Sequence, residues 1–109
     1  MKKVAAALLL ASASFGLAVT LPASPPARKI VQSANGQHLF AQYCAACHDA
    51  HGSMPKSGPA LKGYFRARQP HPSDTTVRSI IQQGKGKMPA FSTLNRSQTD
   101  DLIAFLKTL

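Results

Sequence analysis

The strongest constraint on this 109-residue chain is the run Cys44-Ala45-Ala46-Cys47-His48. Two thiols three positions apart, followed at once by an imidazole, form the attachment motif of a c-type haem. Each thiol can add to one vinyl group of the same porphyrin, and His48 can then give a ring nitrogen to the iron. Other readings of a C-x-x-C run fit less well. A thioredoxin-like motif needs a βαβ setting, and no such alternation is present. A structural zinc site needs four ligands, whereas the chain has two cysteines and no second closely spaced pair. A plain disulfide would leave His48 without a role. The motif therefore points to haem c and narrows the function to electron transfer or another haem reaction.

The amino terminus has the pattern of an export signal. Lys2 and Lys3 precede the uncharged, apolar stretch Val4 to Val19, and small-residue cleavage sites follow at Gly16-Leu17-Ala18 and Leu21-Pro22-Ala23. Residues 1–23 are expected to be a signal peptide cleaved after Ala18 or Ala23. The alternative, an uncleaved anchor, is less favoured. The run falls short of the roughly 20 apolar residues a spanning helix needs, and Ser12, Ser14, Gly16 and Thr20 dilute it. Export places the protein in the periplasm and agrees with covalent haem.

The mature chain is expected to be one domain over residues 35–109, preceded by an extended, Pro-, Ala- and Ser-rich leader over 24–34. At this size a polypeptide core is marginal. A buried porphyrin supplies apolar surface, so the fold is expected to depend on it. The chain has 13 Lys and Arg against 4 Asp, with no Glu, for a net charge of +9. About +7 of this remains after removal of Lys2 and Lys3. Export argues against nucleic acid as the partner of this charge. The better partners are an acidic redox protein or, peripherally, an anionic membrane surface.

Periodicity predicts an all-α fold. Asn35 is the expected N-cap of a first helix running from about Gly36 into the Cys44–His48 motif, with Gln37, Leu39, Phe40 and Tyr43 at helical spacing. Residues 49–63 carry Gly52, Pro55, Gly58, Pro59 and Gly63 and form a loop. A second helix is predicted from Ser73 or Asp74, with Val77, Ile80 and Ile81 on its apolar face and Gly84 after its end. Residues 85–89 form a loop. Ser97-Gln98-Thr99-Asp100 resembles a capping box that opens a last helix, whose apolar stripe is Leu102, Ile103, Phe105, Leu106 and Leu109. Nothing reads as a strand. Wrapping a cofactor would explain such long loops.

If His48 holds one side of the iron, the opposite ligand comes from elsewhere. The candidates are Met54, Met88, His38, His51 and His71. Met54 and His51 are too close to His48 in sequence to pass round the ring, and His38 sits on the first helix. His71 lies between Pro70 and Pro72. Met88, on a Gly- and Pro-bearing loop 40 residues beyond His48, is the best choice. It would give Met/His ligation, which raises the potential.

Over nearly all of its mature length the chain resembles the class I c-type cytochromes. Gly36 and Phe40 ahead of the Cys44–His48 motif look like that family's first helix. Gly58-Pro59-Ala60-Leu61 looks like its haem-packing loop, and Lys87-Met88-Pro89 like its ligand loop. The resemblance implies a cytochrome c fold of about three to four helices with long loops wrapped around one covalent haem. Cys44 and Cys47 would supply the thioethers, and His48 and Met88 the axial ligands. The Pro59 carbonyl would accept a hydrogen bond from the second nitrogen of His48, and Leu61 would press on the proximal haem face. Gly36 would permit close crossing of the first helix by the terminal helix of Leu102, Phe105 and Leu106, with Phe40 packed beside it. The chain has no Trp to serve a propionate, for which Arg66, Arg68 and Arg78 are the candidates. The implied function is a periplasmic one-electron carrier, not an enzyme. The alternatives are a haem c subunit dedicated to a periplasmic dehydrogenase complex and, less favoured, a haem sensor or peroxidase with an open iron site. Lys56, Lys62, Lys85 and Lys87 would frame the exposed haem edge and guide an acidic partner.

Overall fold

The computed structural model describes residues 16–22 and 24–109. The signal-peptide reading falls largely on residues 1–15 and on Ala23, outside the described residues. The described chain forms four helices: α1 over Pro25–Tyr43, α2 over Tyr64–Ala67, α3 over Asp74–Gln83 and α4 over Arg96–Leu106. Among the described residues the only β-type pairing is an isolated bridge between Lys85 and Met88. The all-α reading holds.

The expectation of an extended leader over 24–34 is corrected. The helix begins at Pro25, ten residues before Asn35, and the Arg28 amide donates to the Ser24 carbonyl at 3.0 Å to open it. Prolines at the first helical positions lose no bond, because those N–H groups have no partner within the helix, and their φ is already helical. Ala27, Arg28 and Lys29 then continue with good helix formers. Pro25 and Pro26 start the helix rather than exclude it.

The core forms where α1 crosses α4. Phe40 from α1 and Leu102, Ile103, Phe105 and Leu106 from α4 are buried, joined by Val77 and Ile81 of α3, Leu94, Ala50 and Leu109. The Phe40 and Phe105 rings meet with centroids 5.4 Å apart and planes tilted by 57°. Gly36 makes this crossing possible. A Cβ there would lie 1.9 Å from the Asp101 carbonyl oxygen and 2.8 Å from the Phe105 Cβ.

α3 begins at Ser73, whose side chain accepts from the Thr76 amide at 3.1 Å, and ends at Gly84. It is tied to α4 by Arg78–Asp100 and by Lys107–Asp74 at 2.6 Å. The box that opens α4 lies two residues earlier than expected. Asn95 caps it, accepting from the Gln98 amide at 2.9 Å, and the Gln98 side chain accepts from the Asn95 amide at 2.9 Å. Asn is among the best caps, and Gln is long enough to reach back. Moving the start to Asn95 also leaves Thr99 fully buried, with its hydroxyl donating to the Asn95 carbonyl. The short α2 lies between the 49–63 loop and Ser73, where the sequence pattern predicts no element.

Candidate haem-binding site

α1 runs directly into the Cys44–His48 motif. The Phe40 carbonyl accepts from the amides of Cys44 and Ala45, and the Cys44 carbonyl accepts from those of Cys47 (3.1 Å) and His48 (2.9 Å). One further turn thus gathers Cys44, Cys47 and His48 at the end of the helix. Neither cysteine is in a disulfide; Cys44 is half-buried and Cys47 exposed. Burial, helped by the neighbouring Cys47, pushes the Cys44 thiol up to about 11. A thioether has no proton to lose and takes no penalty from that environment.

Residues 56–61 wrap this turn, mainly through backbone groups. The Gly58 amide donates to the Cys47 carbonyl at 2.8 Å and the Leu61 amide to the Asp49 carbonyl at 2.8 Å, while Lys56 Nζ donates to the Ala45 carbonyl at 2.8 Å. His48 Nδ1 lies 2.8 Å from the Pro59 carbonyl oxygen. A carbonyl only accepts, so Nδ1 carries a proton, and in the neutral tautomer this selects, the lone pair is on Nε2. Gly58 lies against the imidazole; a Cβ there would stand 2.6 Å from His48 Cε1. Leu61 is partly buried against the core. The loop from His48 is tightened by Asp49, whose Oδ1 accepts from the amides of Gly52 (2.8 Å) and His51 (3.0 Å). Those two bonds hold its carboxyl below the ordinary carboxylate range.

Met88 is half-buried in a tight turn. Its amide donates to the Lys85 carbonyl at 3.0 Å, and the Lys85 amide donates to the Met88 carbonyl at 3.2 Å. The Phe91 amide donates to the Ile81 carbonyl at 2.9 Å, fixing the next stretch to α3. The Phe91 ring meets the Tyr43 ring edge-on at 6.3 Å, which brings this stretch to the residue just before Cys44.

The other ligand candidates are placed differently. Met54, His38 and His51 are exposed. Both ring nitrogens of His71 are engaged, Nδ1 with the Phe65 carbonyl at 2.9 Å and Nε2 with Gln69 Nε2 at 3.0 Å. The three arginines considered for the propionates also have partners: Arg78 pairs with Asp100, Arg66 donates to the Leu109 carbonyl, and Arg68 stacks on Tyr64 at 4.6 Å. Spacing alone gave no sign of two contacts, the Lys56 cap on Ala45 and the Tyr43–Phe91 pair. The Asp49 turn was open to recognition, since Asp followed three residues later by Gly favours it.

Comparison with known proteins settles the family. The family described as "Cytochrome C oxidase, cbb3-type, subunit III" matches residues 31–106, about 70% of the chain. The chain belongs to the small class I c-type cytochromes. It is 29% identical to cytochrome c6 of Nostoc sp. over 107 residues, covering 97% of this chain and 92% of that relative. It is 32% identical to cytochrome c6 of Thermosynechococcus vestitus over 82 residues, covering 74% and 73%. The fold is similar to that of cytochrome c6 from the diatom Phaeodactylum tricornutum, with a TM-score of 0.55 at 23% identity, over 70% of this chain and 91% of that one.

As a member of this family the protein carries a covalently bound haem c and its iron, and it is an electron-transfer protein rather than an enzyme. The residues fit the group: two cysteines on one turn, neither in a disulfide, beside an imidazole whose Nδ1 is held by the Pro59 carbonyl, which leaves Nε2 as the nitrogen available to a metal. The haem supplies a single electron that the iron can hold or release. This cytochrome's own residues orient His48, close the turn and carry the surface charge.

Proposed function

We propose that this cytochrome is a periplasmic one-electron carrier with a single His48/Met88-ligated haem, held by thioethers to Cys44 and Cys47. The observation that carries the reading is the 2.8 Å contact between His48 Nδ1 and the Pro59 carbonyl. It selects the tautomer with Nε2 free for iron, and raises the basicity of the ring. Gly58 keeps the imidazole face clear, and Leu61 would pack on the haem beside it. Met88 is favoured over His71 as the second ligand because both nitrogens of His71 already have partners. Among the described helices none is long and apolar enough to cross a membrane. Export rests on the charged and apolar pattern of the first two dozen residues.

The partner is an acidic redox protein, with peripheral contact to anionic membrane as a further interaction. Three of the four carboxylates, Asp74, Asp100 and Asp101, belong to α3 and α4, and the fourth, Asp49, is held by its own loop. Lys56, Lys62, Lys85 and Lys87 lie in the loops after His48 and around Met88 and, among the described residues, enter no ion pair. The subunit reading, in which the haem domain serves one larger redox enzyme, is favoured by the oxidase-subunit description of the matched family. Stable co-purification with a second protein would support it over a free carrier.

Met88→Ala tests the iron site. The oxidised holoprotein should lose the weak sulfur-to-iron charge-transfer band, bind imidazole readily and fall in potential. An unchanged spectrum in Met88→Ala, with a changed one in His71→Ala, would overturn the ligand assignment.

A further inference from the structure

The two halves of the haem site come from distant stretches of chain, and they meet at one aromatic contact. Tyr43 is the last residue of α1 and immediately precedes Cys44. Phe91 follows Met88 by three residues. Their ring centroids are 6.3 Å apart and their planes 71° apart, the edge-to-face arrangement that aromatic quadrupoles favour. The Phe91 ring is partly buried against the core, while Tyr43 is 38% exposed. The backbone of Phe91 is pinned to Ile81. Between Gly84 and Phe91 the loop's main-chain bonds are those of the Lys85–Met88 bridge, which tie the loop to itself. Among the described aromatic contacts, the Tyr43–Phe91 pair is the one that joins the loop's end to the attachment turn.

We infer that Tyr43 is a positioning residue for the distal ligand: its ring latches the Phe91 end of the Met88 loop to the Cys44 turn and so resists displacement of Met88 by external ligands. The inference rests on Met88 being an iron ligand. An external ligand can take that place only when the loop carrying the sulfur moves aside. Any movement that carries Phe91 with it must open the edge-to-face contact. Without the Tyr43 ring, opening becomes easier, and the external ligand gains what the latch withheld. An edge-to-face pair corresponds to roughly a 2- to 10-fold change in such an equilibrium. The contact is made by the ring, so Phe at position 43 should serve as well as Tyr.

The test is an imidazole titration of oxidised holoprotein, followed by loss of the sulfur-to-iron band. Tyr43→Ala should bind imidazole roughly 2- to 10-fold more tightly than wild type. Tyr43→Phe should match wild type, as should Gln42→Ala, an exposed neighbour on the same helix. Unchanged affinity in Tyr43→Ala would overturn the latch, and so would a Tyr43→Phe variant that binds imidazole as tightly as Tyr43→Ala. Should wild type lack the band, or Met88→Ala keep it, the ligand assignment fails and the latch with it. A present band with an unresponsive Tyr43→Ala removes the latch alone.

Discussion

Replacing Gly36 with Ala should destabilise the protein, although alanine is the better helix former. In an exposed helix interior this exchange gains about 0.5–1 kcal/mol. Gly36 is not in such a place. The new Cβ would stand 1.9 Å from the Asp101 carbonyl oxygen, 2.6 Å from its carbon and 2.8 Å from the Phe105 Cβ. The first two are backbone atoms of α4 and cannot turn away as a side-chain tip would, so α1 and α4 must separate. A gap of roughly 0.5–1 Å already forfeits a quarter to a half of the dispersion well of each facing atom pair. The pairs facing this crossing include Phe40 against Phe105. Overpacking of this kind costs about 1–3 kcal/mol, and with main-chain atoms as the obstacle the upper end applies. The propensity gain offsets part of it, leaving a net loss of about 2 kcal/mol. In a domain of this size that lowers Tm by roughly 8–16 °C. The assay is thermal and urea unfolding of oxidised holoprotein, read by far-UV circular dichroism and by haem absorbance. Asn35→Ala is the control: it is an exposed neighbour with one 3.4 Å bond to Asp101, and its effect should stay within about 0.5 kcal/mol. A Gly36→Ala protein as stable as wild type would refute the argument, because the helix crossing would then not be limited by that close approach.

Further outcomes follow from the attachment turn and the charge layout. Holoprotein made with working maturation should carry the mass of one haem, and Cys44→Ser with Cys47→Ser should carry none in intact-mass measurement. Lys85→Glu with Lys87→Glu should slow reaction with an acidic partner roughly 10-fold at low ionic strength, with the difference shrinking as salt rises. A rate flat in salt would mean apolar docking. The carboxylate of Asp49 is favoured in the folded chain by the amides of Gly52 and His51, so its pKa there lies below the unfolded value. Its contribution is present above the ordinary carboxylate range and is lost as pH falls through the lowered folded pKa. Urea midpoints of wild type and Asp49→Ala should therefore differ at neutral pH and converge in acid.

Much of this fold could be read where one residue type answers one physical need. Ser73 and Gly84 bound α3 because a hydroxyl caps one end and a glycine follows the other. Gly36 and Phe40 are marked as the crossing only by the resemblance to class I c-type cytochromes; the physical reason is that a Cβ at 36 would strike the Asp101 carbonyl while the Phe40 ring packs on Phe105. Two boundaries differ from the expectation because competing local signals meet there. Pro25 and Pro26 break a helix interior but suit its first turn, so the leader is helical. Ser97 is a good cap in isolation, but Asn95 with Gln98 satisfies both reciprocal bonds and leaves Thr99 inside. Contacts such as Lys56 to Ala45 had no periodic signature. They depend on how the chain returns to the helix end eleven positions further on, and local propensity does not encode that path.

The wrapping of the attachment turn explains why so short a motif suffices. The Gly58 amide, the Pro59 carbonyl and the Leu61 amide are main-chain groups that almost any residue could supply. Side-chain identity is decided at few places: Gly58, where a Cβ would strike the imidazole, and the residues that bond or ligate directly. The rest of the surface is left open to variation without disturbing His48. Here that freedom has gone into charge. The carboxylates of α3 and α4 are mostly engaged with Arg78, Arg96 and Lys107, so they cannot cancel the lysines of the loops. An uneven layout of this kind would give the molecule a directional field as well as a net charge. A partner sensing that field would be turned before contact, and the salt dependence of the Lys85 and Lys87 reversals measures that turning. Reversal of Lys29, on the far end of α1, should matter much less. Equal effects from Lys29 and Lys87 would mean that net charge, and not its placement, sets the encounter rate.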